Sequence, residues 1–288
     1  MLERILILLK KAIIMLYNFI KKILMCLKKI LLFVLIFFKK LIFIDKNEGD
    51  KFSIWDTTKN LAIALVIAVL IRSFLYEPFH IPSGSMKPGL KDGDFIFVSK
   101  YDFGYTRYSF PFGFKIFDGR LFFRNKPKRG DVLVFRLPAN PKINYIKRLI
   151  GLPGDRIQMK SGVLYVNDVV VPKDYIGETL ENDDDKNSLA REYKEKLDNG
   201  VTFSVLDKFE NGNGDDTAVF YVPDNNYFFM GDNRDNSLDS RFRETGFVHE
   251  DNLIGKARMI FFSINGNLLK VWDWGNIIRF NRIFKKIK

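Results

Sequence analysis

Cysteine and histidine are almost missing from these 288 residues: there is one cysteine, Cys26, and two histidines, His80 and His249. A single thiol forms no intramolecular disulfide, although this does not exclude an extracytoplasmic location. Two histidines far apart in sequence, with no cysteine partner, argue against a His-based metal centre. Net charge is also missing from the long middle of the chain. Of the overall +12, residues 1–60 carry +7 and residues 279–288 carry +5, so residues 61–278 are neutral. The basic residues alternate with aliphatic stretches and no nucleic-acid motif appears. Nucleic acid is therefore excluded as a partner, and the two basic ends point to anionic membrane lipids.

Residues 1–44 lack an apolar run of spanning length. Lysine pairs at 10–11, 21–22, 28–29 and 39–40 leave no apolar stretch longer than 9 residues, against the ~20 that a spanning helix needs. Their spacing places the pairs within about 20° of one another on a helix, as one lysine stripe. The stripe suits a helix lying in the membrane interface; the other reading is that part of it spans, with its lysines snorkelling. No short apolar region ends in a small-residue cleavage site, so this is not a removable targeting peptide. Residues 45–56 read as a polar linker, which makes 1–56 one membrane-associated N-terminal segment.

Residues 57–77 contain the longest apolar run, Leu61–Ile71, with Trp55 and Tyr76 near its ends and Lys59 and Arg72 placed to snorkel. This predicts a transmembrane helix, the alternative being a buried core helix. The lysines before it put the N-terminal side in the cytoplasm and residues 78–288 outside. Beyond it the pattern changes to short β-like runs: Asp94–Ser99, Asp131–Arg136, Tyr145–Ile150, Arg156–Met159, Val163–Val166, Val169–Val171, Val219–Val222, Tyr227–Met230 and Leu253–Ser263. Gly-Asp pairs at 93–94, 130–131 and 154–155 punctuate them. Phe103–Arg124 reads as an aromatic, glycine-rich exposed loop. Residues 172–221 are polar and acidic and read as an insertion or cap rather than core. Within them Asp183-x-Asp185-x-Asn187 opens like a calcium loop, but Ser188 and Lys194 stand where Gly and Glu are required, so calcium is rejected. The basic end, 279–288, follows Trp272 and Trp274 and is expected on the outer membrane surface, a frayed tail being the alternative.

Three stretches concentrate chemistry. The first is Pro78-Phe79-His80-Ile81-Pro82-Ser83-Gly84-Ser85-Met86-Lys87-Pro88, where prolines and Gly84 hold a serine tightly just past the anchor. Alone it is either a rigid turn or a nucleophile. A serine nucleophile needs a base. Neither histidine has an obvious orienting carboxylate nearby, which weakens a Ser-His-Asp triad. A lysine can serve if burial makes it neutral. The second stretch, Tyr145-Ile146-Lys147-Arg148, offers one, although a lone strand lysine is more often an exposed edge residue. Lys147 and Arg148 point to opposite strand faces, so Arg148 is expected to matter much less. The third stretch is a polar loop, Gly231-Asp-Asn-Arg-Asp-Asn-Ser237-Leu-Asp239-Ser-Arg241.

In this order after a membrane anchor, the three stretches resemble bacterial type I signal peptidase (leader peptidase), from about Ile71 to the C-terminus. The resemblance implies a mostly β fold: a membrane-anchored antiparallel β catalytic domain with an inserted cap, preceded by N-terminal membrane helices. It implies a Ser/Lys dyad, with Ser85 as nucleophile and Lys147 as general base. Ser237 then orients the lysine, the Ser83 hydroxyl and the Ser85 N–H form the oxyanion hole, and Asp239 and Arg241 support the loop. Phe79, Ile81, Tyr145 and Ile146 line shallow pockets for small side chains, as in Ala-X-Ala sequences. The implied activity is removal of signal peptides from secreted pre-proteins at the bacterial cytoplasmic membrane, beside the secretion translocon, without cofactor or metal. A Ser/Lys self-cleaving regulator would need a DNA-binding module, and none is visible. A silent membrane scaffold would leave the matching motifs unexplained.

Overall fold

The computed structural model describes residues 54–110, 119–121, 125–183, 186–266 and 274–287. The lysine-striped segment 1–44, most of the linker, part of the Phe103–Arg124 loop, Asp185 and Trp272 lie outside the described residues. The chain divides into two units, Met1–Lys59 and Asn60–Lys288; all the described strands belong to the second.

Helix α1 (Ile54–Phe74) contains neither glycine nor proline and is rich in Ala, Leu and Ile, residues that lose little on entering a helix or, for Ile, stay helical in an apolar setting. It ends where Leu75 N–H still donates to Ile71 O and the chain turns extended toward Glu77-Pro78. Its Thr57–Phe74 stretch is long and apolar enough to cross a membrane, and only 6% of it is buried. Leu61, Leu65 and Val66 stand 57–70% exposed. An apolar helix that protein does not cover is not stabilised by water.

The main sheet has seven strands in the order β1-β2-β14-β3-β4-β12-β13. They are β1 (Tyr76–His80), β2 (Asp94–Ser99), β3 (Val132–Leu137), β4 (Asn140–Gly151), β12 (Asn226–Met230), β13 (Val248–His249) and β14 (Leu253–Ser263). All the pairings are antiparallel. Ile96 and Val98 of β2, Val132 and Val134 of β3 and Ile254, Ala257 and Ile260 of β14 form one buried cluster. Phe135, Leu149 and Phe229 lead a second on this sheet, where the Phe135 and Phe229 rings stack at 4.5 Å. A four-stranded sheet holds β5 (Arg156–Lys160), β6 (Val163–Val166), β7 (Val169–Val170) and β11 (Phe220–Tyr221). The expected strands sit within a few residues of those seen, and β2, β6 and β14 match their expected limits.

The expectation that 172–221 lies outside the core is corrected. This region builds a third, three-stranded sheet from β8 (Lys173–Asp183), β9 (Lys186–Lys196) and β10 (Thr202–Asp207). Its second half is core: Leu197, Phe203 and Val205 join Ile150, Ile157, Leu164 and Phe228 in one buried cluster. The buried pair Arg234–Glu195 and the bridge Leu206–Asn233 tie it to the 231–241 loop.

The C-terminal segment is not a frayed tail, and two of its cations face protein rather than solvent. It lies antiparallel to β14, with bridges Ile264–Ile278 and Met259–Lys286. Arg282 pairs with Asp94, a carboxylate with no exposed surface. Arg279 donates to Ser263 Oγ at 2.8 Å and to Ile264 O at 2.6 Å. Arg279→Gln removes charged donors from these acceptors, a loss of about 1–2 kcal/mol. The melting temperature of the full chain in detergent should fall by roughly 2–8 °C, whereas a free tail would leave it unchanged.

Candidate active site

The Pro82–Pro88 turn is fixed from below and behind. Ile81, Met86 and Leu90 are each 1–2% exposed and anchor it in the core. Within it Lys87 N–H donates to Gly84 O at 3.0 Å and Leu90 N–H to Met86 O at 2.9 Å. From the 231–241 loop, Asn233 N–H donates to Ser85 O at 3.1 Å, and its side-chain amide donates to Gly84 O at 3.2 Å. Ser85 is thereby held on both sides, with 8% of its surface exposed. Ser83 Oγ lies 3.5 Å from Ser85 Oγ.

Strand β4 carries Lys147 to this turn. Its Nζ lies 2.5 Å from Ser85 Oγ and its side chain is 4% exposed. Burial lowers the Lys147 ammonium to about 8; Asp239 and Asp232 push it back up and Arg241 adds to the lowering. A lysine in this state is about half neutral near pH 8. Among the described residues neither histidine hydrogen-bonds to Ser85. His249 stands exposed beside Asp251 at 3.5 Å, and the His80 ring packs on Phe95 with centroids 4.8 Å apart.

The 231–241 loop is organised on Asp239, which has no exposed surface. Its Oδ2 accepts from Gly231 N–H at 2.9 Å, Ser237 Oγ at 2.8 Å and Arg241 Nη2 at 3.0 Å; its Oδ1 accepts from Arg241 Nε at 2.9 Å. Burial pushes the Asp239 carboxyl up, but the charge and hydrogen bonds of Arg241, with those from Gly231 and Ser237, hold it below the ordinary range. The Ser237 proton therefore goes to Asp239, which leaves the oxygen lone pairs of Ser237 as its means of meeting an amine. Among the described residues no hydrogen bond joins Ser237 to Lys147.

Of the four residues expected to line pockets, Phe79 and Ile146 pack as half-buried groups on the cluster beneath the turn, and Tyr145 lies over Lys147 Nζ at 5.2 Å. Ile81 is different: at 2% exposure it is a core residue that supports the turn and has little surface to offer a substrate.

Arg148 requires a correction. Both faces of β4 are buried here: residues 147–151 are all buried, with Leu149 and Tyr145 at one core cluster and Ile146 and Ile150 at two others. Arg148 is 3% exposed, forks onto Asp232 with two bonds of 2.7 Å, donates to Gly130 O at 2.8 Å and covers the Phe203 ring at 4.0 Å. Asp232 and Asn233, which lock the loop to β4 and to the Ser85 turn, were hidden among several equivalent polar residues. Gly231 is also needed. A Cβ there would lie 2.1 Å from Ser237 Oγ and 2.6 Å from Ser85 O. Its place at the head of the polar loop was the one available signal.

Three carboxylates that could hold a cation, Asp207, Asp215 and Asp235, bring their oxygens within 4.8 Å of one another. Lys173 Nζ already sits 2.7 Å from Asp207, and none of the three bonds a dyad residue.

Comparison with known proteins gives one family and several relatives. The family described as signal peptidase, peptidase S26, matches residues 54–262. Signal peptidase I of Rickettsia typhi is 40% identical over 247 residues, covering 79% of this chain and 92% of that protein. Signal peptidase I of Rickettsia akari is 42% identical over 248 residues, covering 78% and 90%. A crystal structure of a signal peptidase I from Enterococcus faecalis is 28% identical and covers 46% of this chain and 97% of that one, at a TM-score of 0.27.

Proposed function

The chain belongs to the signal peptidase family, peptidase S26, whose serine proteases remove signal peptides from secreted precursors, and from that premise we propose that Ser85 and Lys147 perform the cleavage. The observation that supports this best is the 2.5 Å approach of a buried lysine amine to Ser85 Oγ. In the reactive state Lys147 Nζ is neutral and accepts the Ser85 proton. Ser85 Oγ attacks the scissile carbonyl carbon, and the oxyanion that forms is met by the Ser85 backbone N–H and the Ser83 hydroxyl. The Lys147 ammonium then gives its proton to the leaving amine, the C–N bond breaks and an acyl-enzyme remains. Water deprotonated by Lys147 attacks the ester, and Ser85 is regenerated. Ser237 and Arg241 act through Asp239, by fixing the loop against the turn.

Phe79, Tyr145 and Ile146 border the dyad and leave room for small side chains beside the scissile bond, as in Ala-X-Ala. In this reading α1 spans the bacterial cytoplasmic membrane, with residues 78–288 on the extracytoplasmic face. Membrane lipids and the secretion translocon are its surroundings, and precursors whose apolar segment is still in lipid are its substrates.

The proton transfer fixes the pH dependence. Below pH 8 the ammonium form of Lys147 predominates and cannot accept a proton. For a purified Ala-X-Ala precursor, kcat/KM should rise about tenfold per pH unit up to about pH 8 and then level. A rate that is flat from pH 6 to 9, or equal cleavage of a precursor with Phe directly before the bond, would count against the assignment.

A further inference from the structure

A cavity of about 470 Å³ opens beside the C-terminal end of α1, and neither Ser85, Lys147 nor any 231–241 loop residue lines it. Five basic side chains surround it: Arg72, Lys100, Arg107, Arg136 and Lys142. One acid, Glu77, faces them, and it is shared by Arg72 and Lys100 at 2.8 Å each. Lys100 is 1% exposed and also donates to Ser109 O at 2.7 Å. Among the described residues no carboxylate pairs with Arg107, Arg136 or Lys142. The Arg136 Nε is buried and makes no hydrogen bond. Arg107 and Arg136 both lie against the Tyr108 ring, at 4.6 and 5.3 Å from its centre, so two like charges share one aromatic neighbour. Arg136 Nη1 also donates to the Lys142 backbone carbonyl at 3.3 Å, which ties Lys142 to the cavity it lines. The excess charge is felt nearby. Burial lowers the Lys100 ammonium, Glu77 raises it, and Arg72 and Arg136 lower it further.

The position of this cavity identifies the anion. Arg72 lies in the last turn of α1. The Thr57–Phe74 stretch has 18 residues, or ~27 Å at 1.5 Å per residue, close to the hydrocarbon thickness of a bilayer. Aromatic side chains collect at this end. Phe74, Tyr76 and Tyr101 are 37–39% exposed, the two tyrosine hydroxyls meet at 2.8 Å, and Tyr105 Oη donates to Phe74 O at 2.9 Å. Amphipathic rings at the end of an apolar helix mark the headgroup level. Guanidinium groups match phosphate oxygens in pairs. We propose that this cavity binds the phosphate of an anionic phospholipid, with Arg107, Arg136 and Lys142 as its ligands. The proposal rests on α1 as the membrane span. A lipid that carries its own ammonium, such as phosphatidylcholine, would set that charge against the cluster and bind less.

The test uses the full chain in non-ionic detergent, titrated with phosphatidylglycerol, phosphatidylcholine or inorganic phosphate and read by native mass spectrometry. Arg107→Gln/Lys142→Gln changes two exposed side chains and should weaken phosphatidylglycerol retention roughly 10- to 30-fold, at about fivefold per basic residue near the lipid surface. Arg107→Lys/Lys142→Arg and the distant Lys160→Gln should retain it as the unchanged chain does. Equal retention by the Gln double variant and the unchanged chain would overturn the proposal. So would binding of inorganic phosphate without phosphatidylglycerol, which would make this a free-phosphate site. Precursor cleavage in detergent reports the dyad separately and should be unaffected by the double variant. Loss of cleavage with lipid retention intact would assign the cavity to the precursor and overturn the lipid reading.

Discussion

Lys147→Arg should abolish precursor cleavage, lowering kcat by roughly 10⁴- to 10⁶-fold, the range for removing a member of a catalytic group that acts as a unit. Arginine keeps a positive charge near Ser85, but its guanidinium stays protonated and cannot accept the serine proton. Lys147→Met should be equally inactive for a simpler reason, the loss of the amine, and it suits a site where the side chain is 4% exposed. Ser85→Ala should match both, and combining Ser85→Ala with Lys147→Met should cost little more, because either loss disables the same proton transfer. Circular dichroism and melting curves establish that each variant is folded before cleavage is compared. Removing the buried amine also removes the acidic limb of the pH profile, so any residual rate in Lys147→Met should be flat through pH 8. A folded Lys147→Arg with near-normal cleavage would end the Ser/Lys reading and return attention to His80 and His249.

The approach of Lys147 to Ser85 was legible because each partner's setting is local. A serine between Gly and Met-Lys-Pro, a lysine in an apolar strand and a polar loop headed by Gly-Asp-Asn each limit their own surroundings. The strands were legible for a similar reason, since β2, β6 and β14 alternate or run apolar between turns. Strands β8 and β9 were not. They pair mainly with each other, at positions such as Glu178–Arg191 and Asp174–Lys194, so their sequence is polar on both faces and resembles a loop. The tail misled in the opposite way. Arg279 and Arg282 count as free charge until their acceptors appear, and Asp94 lies 188 positions before Arg282. Charge counted along the chain shows where cations are but not which anion has already claimed them.

Arg148 is the sharpest case of that limit, and it sets the second large effect. Strand alternation places it opposite Lys147, which in a sheet with one wet face would make it dispensable. Here the opposite face is also core, and Arg148 is the counter-charge of Asp232, whose side chain is 3% exposed. Arg148→Met leaves that carboxylate buried without its partner, a loss of about 3–5 kcal/mol. The melting temperature in detergent should drop by roughly 6–20 °C at 2–4 °C per kcal/mol. Adding Asp232→Asn removes the stranded charge and should recover a substantial part of the drop, whereas Asp232→Asn alone strands the arginine and should itself be costly. Cleavage should fall in the single variants even below their melting points, because Asp232 adjoins Asn233, whose N–H and amide hold Ser85 and Gly84. An Arg148→Met chain that melts within about 1 °C of the parent, as ordinary surface substitutions do, would mean that the pair is not what ties the loop to β4. The orientation of the nucleophile would then rest on Asn233 and Asp239 alone.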